Sequence, residues 1–269
     1  MHGRQLLAAA WIGTLAAGSW PAAARAAAAS EPERFDTVVV DAGHGGEDQG
    51  AHGPRGLLEK DLVLDVAQRV AAGLGAQGLR VVMTRDSDHF VPLDERTRLA
   101  NAAHPDLFIS IHANASSLQG VKGIETFFAS PEATDESARA LAQRENLAFG
   151  ASAARMAEGD PLRAILGDLL ATEHLAAAQE FAGLAQRRLA TAEASRSRGV
   201  KQAPFVVLMG VHAPAVLVEV GFLTNAKEES RLASARERER LVSGLAEAVA
   251  VFRTRQDARL GIAESGGGK

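Results

Sequence analysis

The segment Thr37-Val-Val-Val-Asp41, which runs into Gly43-His-Gly-Gly46, decides the fold prediction. Consecutive β-branched residues are typical of a buried strand, and the glycines behind them are typical of a loop. An amphipathic helix is predicted from Glu59 to Leu74, because apolar residues recur there at intervals of three and four. Further strands are predicted at residues 79–83, 107–111, 123–128 and 215–219, and a second helix at 93–102. This alternation predicts an α/β fold, a single domain whose mainly parallel sheet is covered by helices on both faces.

The composition excludes several classes of protein. The chain has 269 residues, of which 46% are hydrophobic and 23% charged, as in ordinary globular proteins. A formal net charge of -4 gives no basic surface for a phosphate backbone, so nucleic acid is not an expected partner. Because the chain has no cysteine, disulfides and thiolate ligands are excluded, and any metal ion must be bound by His, Asp or Glu.

The first 26 residues are similar to a secretory signal peptide. Arg4 is followed by an apolar stretch, and the small residues Ala24 and Ala26 precede the expected cleavage site. A retained membrane anchor is the alternative, but the apolar stretch is shorter than the roughly 20 residues that a membrane span requires. We therefore expect export to the periplasm, no stable membrane span, and the following segments: a cleaved signal (1–26), a short linker (27–35), the main domain (36–255) and a flexible tail (256–269).

Residues 131–199 differ in composition from the rest of the domain. From Pro131 onward the chain is rich in Ala, Glu, Gln and Arg and poor in β-branched residues, which predicts a helical insertion with a break near residues 159–161. After the strand at 215–219, Asn225 and Glu228 are spaced as in a capping box and predict a last helix in one or two pieces.

Three of the predicted strands end at residues that can perform chemistry, namely His44, His112 and Glu219. The carboxyl ends of parallel strands meet at one edge of a sheet, where functional sites lie. The glycines around His44 do not form a dinucleotide-binding loop, because Asp48 stands where the third glycine is required. A hydrolytic zinc site needs three nitrogen or oxygen ligands and an open fourth position. Glu59 is the favoured third ligand, although an acid in the first turn of a helix also complements the helix dipole.

Four motifs together resemble a known family. They are Val40-Asp-Ala-Gly-His-Gly-Gly46, Leu58-Glu-Lys-Asp-Leu62, Ser110-Ile-His-Ala-Asn114 and Leu217-Val-Glu-Val-Gly-Phe-Leu-Thr-Asn225. In this order they resemble the motifs of zinc-dependent N-acetylmuramoyl-L-alanine amidases of the AmiA/AmiB/AmiC type. The resemblance implies one zinc ion per chain, bound by His44, Glu59 and His112, with Glu219 as the catalytic carboxylate. It further implies that residues 36–255 form a catalytic domain acting on peptidoglycan, at the amide between the lactyl group of N-acetylmuramic acid and L-alanine of the stem peptide.

The same resemblance gives residues 131–199 a regulatory role. In some members of the family an inserted segment covers the zinc until an activator protein moves it. Four acids of this stretch are expected candidates for the blocking group: Glu132, Asp135, Glu136 and Glu145. The alternative is an ordinary helical hairpin packed on the sheet.

Several other polar residues have two interpretations. Asn114 either contacts substrate or a ligand, or forms a turn after its strand. Asp41 either accepts a hydrogen bond from a ligand imidazole or stabilises the local turn. Arg85 and Arg96 are candidates for binding a substrate carboxylate. Two rival functions also remain: a catalytically silent cell-wall-binding protein of this fold, and a zinc peptidase or deacetylase acting on another amide.

Overall fold

The computed structural model describes residues 34–118, 120–147, 172–191 and 197–262. They belong to one compact unit that begins at Arg34. The predicted signal peptide at 1–26 and the predicted helix break near 159–161 lie outside the described residues. None of the described helices is long and apolar enough to cross a membrane.

A six-stranded sheet forms the centre of the domain. Its strands are β1 (Thr37–Ala42), β2 (Arg80–Met83), β3 (Leu107–Asn114), β4 (Ile124–Ala129), β5 (Ser197–Ala203) and β6 (Ala215–Phe222). They are arranged in the order β2-β1-β3-β6-β4-β5. All neighbouring strands are parallel except β4 and β6, which are antiparallel. The prediction of a mainly parallel sheet is therefore confirmed.

Helices cover both faces of this sheet, as predicted. They are α1 (Glu59–Ala76), α2 (Leu93–Ala102), α3 (Glu136–Leu147), α4 (Thr172–Thr191), α5 (Val206–Met209), α6 (Ala226–Leu232) and α7 (Ala235–Arg259). Strand side chains alternate between the two faces, so that Val38 and Val40 pack with α1, α4 and α7 while Val39 packs with α2, α3 and α5. The last helix is in two pieces, and the Asn225 side chain caps the first by accepting from the backbone of Lys227 and Glu228.

The predicted insertion at 131–199 is only partly a separate element. Helix α4 buries Phe181 and Leu189 completely, and the ring of Phe181 lies 5.3 Å from that of Phe252 in α7. Strand β5 begins inside the predicted helical stretch, at Ser197, and pairs with β4 alone. Helix α4 therefore belongs to the core and β5 to the edge of the sheet, and α3 is the one element of the insertion, among those the structure describes, that remains as a candidate lid. The expectation of an entirely helical insertion is wrong at its end, because β5 is an edge strand held by backbone hydrogen bonds to β4 rather than by apolar side chains.

The chain also remains ordered beyond residue 255. Helix α7 continues to Arg259, and the Asp257 carboxylate accepts a 3.0 Å hydrogen bond from the backbone N–H of Phe35. The ring of Phe35 packs edge-on against Phe252. The expectation of a flexible tail from residue 256 is therefore wrong for residues 256–259, because the end of α7 anchors the start of the domain.

Candidate metal centre and active site

The loop after β1 positions the first imidazole of the centre. His44 adopts a left-handed backbone conformation (φ 58°), and its Nδ1 lies 2.9 Å from Oδ2 of Asp48. This contact fixes the ring and leaves Nε2 facing the centre. A Cβ atom on the preceding Gly43 would lie 2.3 Å from the His112 ring, so glycine is required for the two imidazoles to approach each other. Sequence reasoning missed Asp48, although ligand histidines usually have such a carboxylate partner.

Glu59, the first residue of α1, joins the two imidazoles. Its Oε1 lies 3.0 Å from Nε2 of His44 and 3.1 Å from Nδ1 of His112. The backbone N–H groups of Ala113 and Ala51 donate to Oε1 and Oε2 at 2.9 and 2.7 Å. The structure therefore brings together the three residues that the sequence nominated as metal ligands, and the Glu59 carboxylate is fixed at both oxygens.

A second carboxylate reaches the centre from α3. Oε2 of Glu145 lies 3.4 Å from both His44 Nε2 and His112 Nδ1. The other acids proposed as blocking groups do not reach the centre, because Glu132 and Glu136 are exposed and Asp135 pairs with Lys201 at 3.0 Å. Packing thus selects one of the four candidates that sequence reasoning left open.

The donor atoms have the spacing of a metal site. Zinc binds nitrogen and oxygen donors at about 2.0–2.1 Å in tetrahedral geometry, which sets neighbouring donors roughly 3.3 Å apart. The measured separations of 3.0, 3.1 and 3.4 Å bracket this value. Oε2 of Glu145 is buried and has no hydrogen-bond partner among the described residues. The residues present therefore fit a divalent cation, and Glu145 offers a further possible donor atom that lies within 4.8 Å of those of His44 and His112.

The electrostatics of the centre favour positive charge. Burial opposes protonation of His44, but the Glu59, Asp48 and Glu145 carboxylates outweigh it and raise the pKa of His44 to about 11. Burial likewise opposes ionisation of Glu59, yet the two imidazoles hold the pKa of its carboxyl well below the usual range. A metal cation bound in the centre would take the place of the added proton on His44 as the positive charge that attracts these carboxylates.

Glu219 lies beside these groups on the central strand β6. It is the lateral partner of His112 on β3 and of Glu125 on β4. Its side chain is fully buried, and neither carboxylate oxygen has a hydrogen-bond partner in the part of the chain that the structure describes. Burial, followed by the negative charges of Glu59 and Glu145, raises the pKa of Glu219 well above its usual range. A raised pKa makes this carboxylate a stronger proton acceptor than an exposed glutamate.

Asn114 connects α3 to the sheet rather than forming a turn. It is the last residue of β3, and its Nδ2 donates to Glu125 at 3.2 Å. Its Oδ1 accepts a 3.1 Å hydrogen bond from Arg144, which also donates to the Ala115 carbonyl at 3.3 Å. Arg144 directly precedes Glu145, so this network holds the end of α3 at the centre.

The structure contradicts the substrate-binding role expected for Arg85 and Arg96, and it excludes the first of the two roles considered for Asp41. Asp41 accepts hydrogen bonds from Thr84, Ser110 and Arg96, and its carboxylate is not the acceptor for a ligand imidazole, a role that Asp48 fills instead. Arg85 is only 1% exposed and donates to backbone carbonyls, including those of Ala42 and Gly43. Arg96 is also buried and donates to the carbonyls of Ala42 and His44. Both arginines stabilise the glycine-rich loop from within the fold and do not face a substrate cleft.

Comparison with known proteins identifies the family. A sequence model of the Amidase_3 family, N-acetylmuramoyl-L-alanine amidase, matches residues 38–251. The chain is 35% identical over 214 residues to N-acetylmuramoyl-L-alanine amidase AmiA of Escherichia coli (strain K12), covering 79% of this chain and 74% of that relative. It is similar to the crystal structure of N-acetylmuramoyl-L-alanine amidase from Clostridium difficile 630, with a TM-score of 0.63 and 28% identity over 82% of this chain and 97% of that one. AmiC2 of Nostoc punctiforme gives a TM-score of 0.61 and 28% identity over 82% and 98% of the two chains.

The family model spans β1 to α7 and includes all four residues of the centre and Glu219. The chain therefore belongs to the Amidase_3 family of N-acetylmuramoyl-L-alanine amidases.

Proposed function

We propose that this chain is a zinc-dependent N-acetylmuramoyl-L-alanine amidase. It hydrolyses peptidoglycan at the amide between the lactyl group of N-acetylmuramic acid and L-alanine of the stem peptide. The observation that carries the proposal is that Oε1 of Glu59 lies 3.0 Å from His44 Nε2 and 3.1 Å from His112 Nδ1, beside the buried carboxylate of Glu219. The substrate is supported by membership of the family and by the names of its relatives.

His44, Glu59 and His112 are the residues that would hold the zinc ion. When bound, zinc supplies a Lewis acid that lowers the pKa of water and polarises an amide carbonyl. Asp48 keeps the His44 ring in place through Nδ1, and the N–H groups of Ala51 and Ala113 fix the Glu59 carboxylate. The protein therefore holds its ligands rigidly before any substrate binds.

Glu219 carries the proton during hydrolysis. Its carboxylate accepts a proton as the oxygen of water forms a bond to the amide carbon, and delivers that proton to the nitrogen as the carbon–nitrogen bond breaks. The free amine of L-alanine and the lactyl carboxylate are the products. Burial and the neighbouring carboxylates raise the pKa of Glu219, which makes its carboxylate a stronger proton acceptor in the first step.

The decisive experiment is digestion of purified sacculi by the mature protein. We expect stem peptides with a free L-alanine amino end to be released, the release to stop with a chelator, and activity to return when zinc is added. A silent wall-binding protein would release nothing, and a peptidase or deacetylase would release products with different ends. Either result would contradict the proposed function.

We further propose that α3 is an autoinhibitory lid. Glu145 lies against both imidazoles, so it competes with substrate for the centre. The residues on either side of Glu145 anchor the helix end, because Arg144 binds the end of β3 and Asn146 exchanges hydrogen bonds with Pro204 and Val206 at 2.8 and 2.9 Å. An activator protein that binds the displaced helix more tightly than the docked one would shift the equilibrium toward the open state.

Export to the periplasm is also part of the proposal. It is supported by the sequence of residues 1–26, with its apolar stretch and small residues before Ala26. Amino-terminal sequencing of the protein from cell fractions tests it, since the expected mature chain begins directly after Ala26.

A further inference from the structure

A row of chemically capable side chains continues across the sheet beyond the centre. His112 on β3, Glu219 on β6 and Glu125 on β4 are lateral partners on three neighbouring strands. The row extends to β5, where Arg198 lies opposite Glu125 at an irregularity between the pairs Ile124–Ser197 and Thr126–Val200. The proposed hydrolysis uses the first two members of the row and leaves Glu125 and Arg198 without a role.

Glu125 is a buried anion surrounded by donors. It is 3% exposed, and its Oε1 accepts from Arg198 Nε and Lys201 Nζ, both at 2.8 Å. Its Oε2 accepts from Asn114 at 3.2 Å. Two cations share this one carboxylate. Lys201 has a second anionic partner in Asp135, whereas no second acid pairs with Arg198 among the described residues.

The guanidinium of Arg198 is held in place but keeps spare donors. Its Nε is bound to Glu125, and its Cζ lies 5.2 Å from the ring centroid of Phe222. The side chain is 26% exposed, and Nη1 and Nη2 make no hydrogen bond to any residue that the structure describes. Two adjacent guanidinium N–H groups match the two oxygens of a carboxylate. Because Glu125 and Phe222 fix the side chain, little rotamer entropy is lost when a carboxylate binds.

We propose that Arg198 binds a carboxylate of the stem peptide, carried by the residue that follows L-alanine, and that Glu125 is the positioning residue that orients the guanidinium. This proposal rests on the proposed amidase function. Neighbouring strands are about 4.8 Å apart, so β5 lies roughly 10 Å from the Glu219 strand. An extended peptide advances about 3.5 Å per residue, and a carboxylate on the next residue can therefore reach Arg198 while the L-alanine amide lies at Glu219.

Two synthetic substrates test the proposal in the unmodified chain. They are N-acetylmuramoyl-L-alanyl-D-glutamate and the same compound with both glutamate carboxylates converted to carboxamides. We expect kcat/KM to be higher for the carboxylate compound by about tenfold to a hundredfold, mainly through KM. Equal kcat/KM for the two compounds would overturn the subsite.

Variants assign the preference to Arg198. Arg198→Gln should lose the preference by slowing cleavage of the carboxylate compound and leaving the diamide unaffected, and Arg198→Lys should retain part of it. The matched control is Arg98→Gln, since Arg98 is an exposed arginine paired with Glu95 on α2. Equal losses on both compounds in Arg198→Gln would indicate a structural role and overturn the proposal.

A binding measurement separates this proposal from the proposed function. In Glu219→Gln, calorimetric titration should give tighter binding of the carboxylate compound than of the diamide, and the difference should vanish when Arg198→Gln is added. If the unmodified chain cleaved neither compound, the amidase function would be wrong, and the titration of Glu219→Gln would still decide whether Arg198 binds a carboxylate. Equal affinities in the titration would overturn the subsite independently of turnover.

Discussion

Oε2 of Glu145 lies 3.4 Å from Nε2 of His44, although the two residues are far apart in the sequence. His44 lies in the loop before α1, whereas Glu145 belongs to α3, which comes after β3. The docked position of α3 thus places an acidic side chain at the proposed metal centre. Removing this acid tests whether the contact restrains activity.

Glu145→Gln should raise basal activity on sacculi. A docked state that leaves the open state populated at about 0.1 to 10% holds activity down by about tenfold to a thousandfold, and the variant should recover much of this factor. The matched control is Glu136→Gln, because Glu136 lies on the same helix with its side chain 87% exposed. Unchanged activity in Glu145→Gln would mean that α3 is ordinary packing.

Arg144→Ala should also activate the protein, by about tenfold, because it removes charged hydrogen bonds from the helix end to Asn114 and the Ala115 carbonyl. Arg139→Ala serves as the comparison, since Arg139 is a half-exposed arginine of the same helix that pairs only weakly with Glu136. Dye-release assays on labelled sacculi measure both variants. Similar rates for the two would argue against a specific anchor at Arg144.

Asp48→Asn should weaken zinc binding by about tenfold to a hundredfold, because it loosens the His44 ring without removing a ligand. Competition with a chromophoric chelator measures the affinity. Glu47→Gln changes the exposed neighbouring acid and should leave the affinity unchanged. If Asp48→Asn bound zinc normally, the contact with His44 would have no part in holding the metal.

Glu219→Gln should retain zinc and lose about a hundredfold to ten-thousandfold in kcat, since the amide cannot carry the proton. Metal analysis and turnover are measured on the same preparation. Loss of zinc together with turnover would point to a damaged centre instead, and normal turnover would remove Glu219 from the mechanism.

Asp41→Asn should destabilise the domain by about 3–5 kcal/mol, because it leaves the buried Arg96 guanidinium without its anion. Burial opposes the ionisation of Asp41, but Arg96, Ser110 and Thr84 outweigh it and lower the pKa of Asp41. A lowered folded-state pKa gives stability that is complete above the ordinary Asp pKa and is lost as the pH falls through the folded value. Urea unfolding at several pH values should therefore give a steeper acid decline for the unmodified chain than for Asp41→Asn.

Sequence periodicity predicted most of the sheet because its central strands are apolar and β-branched. The strand Ser197–Ala203 was not predicted, because Arg198, Gly199 and Lys201 are not residues typical of a strand. This segment forms a strand through its backbone pairing with β4. The helix at residues 172–191 was predicted as a helix, but its place in the core depends on tertiary packing against α7. Local propensity does not report such contacts.

The proposed metal ligands could be predicted from the residues at the strand ends and from the family resemblance. The roles of the surrounding polar residues became clear only from the structure. The choice of Glu145 among four acids depends on which face of α3 meets the sheet. The sequence made Arg85 a candidate for binding substrate and left two roles open for Asp41, because it does not reveal that the partners of Arg85 are backbone carbonyls and those of Asp41 are hydroxyls and Arg96. Polar residues near a site therefore remain ambiguous until their hydrogen bonds are known.

Because His112 and Glu219 are paired across β3 and β6, the backbone hydrogen bonds between the two strands set the spacing between the proposed metal ligand and the proposed proton carrier. The register irregularity lies just beyond this pair, between His112 and Asn114. A slip of one residue between the two strands would turn Glu219 toward the opposite face. Insertions or deletions within β6 should thus abolish hydrolysis even where the fold survives, whereas substitutions in α3 leave the pairing of His112 with Glu219 in place.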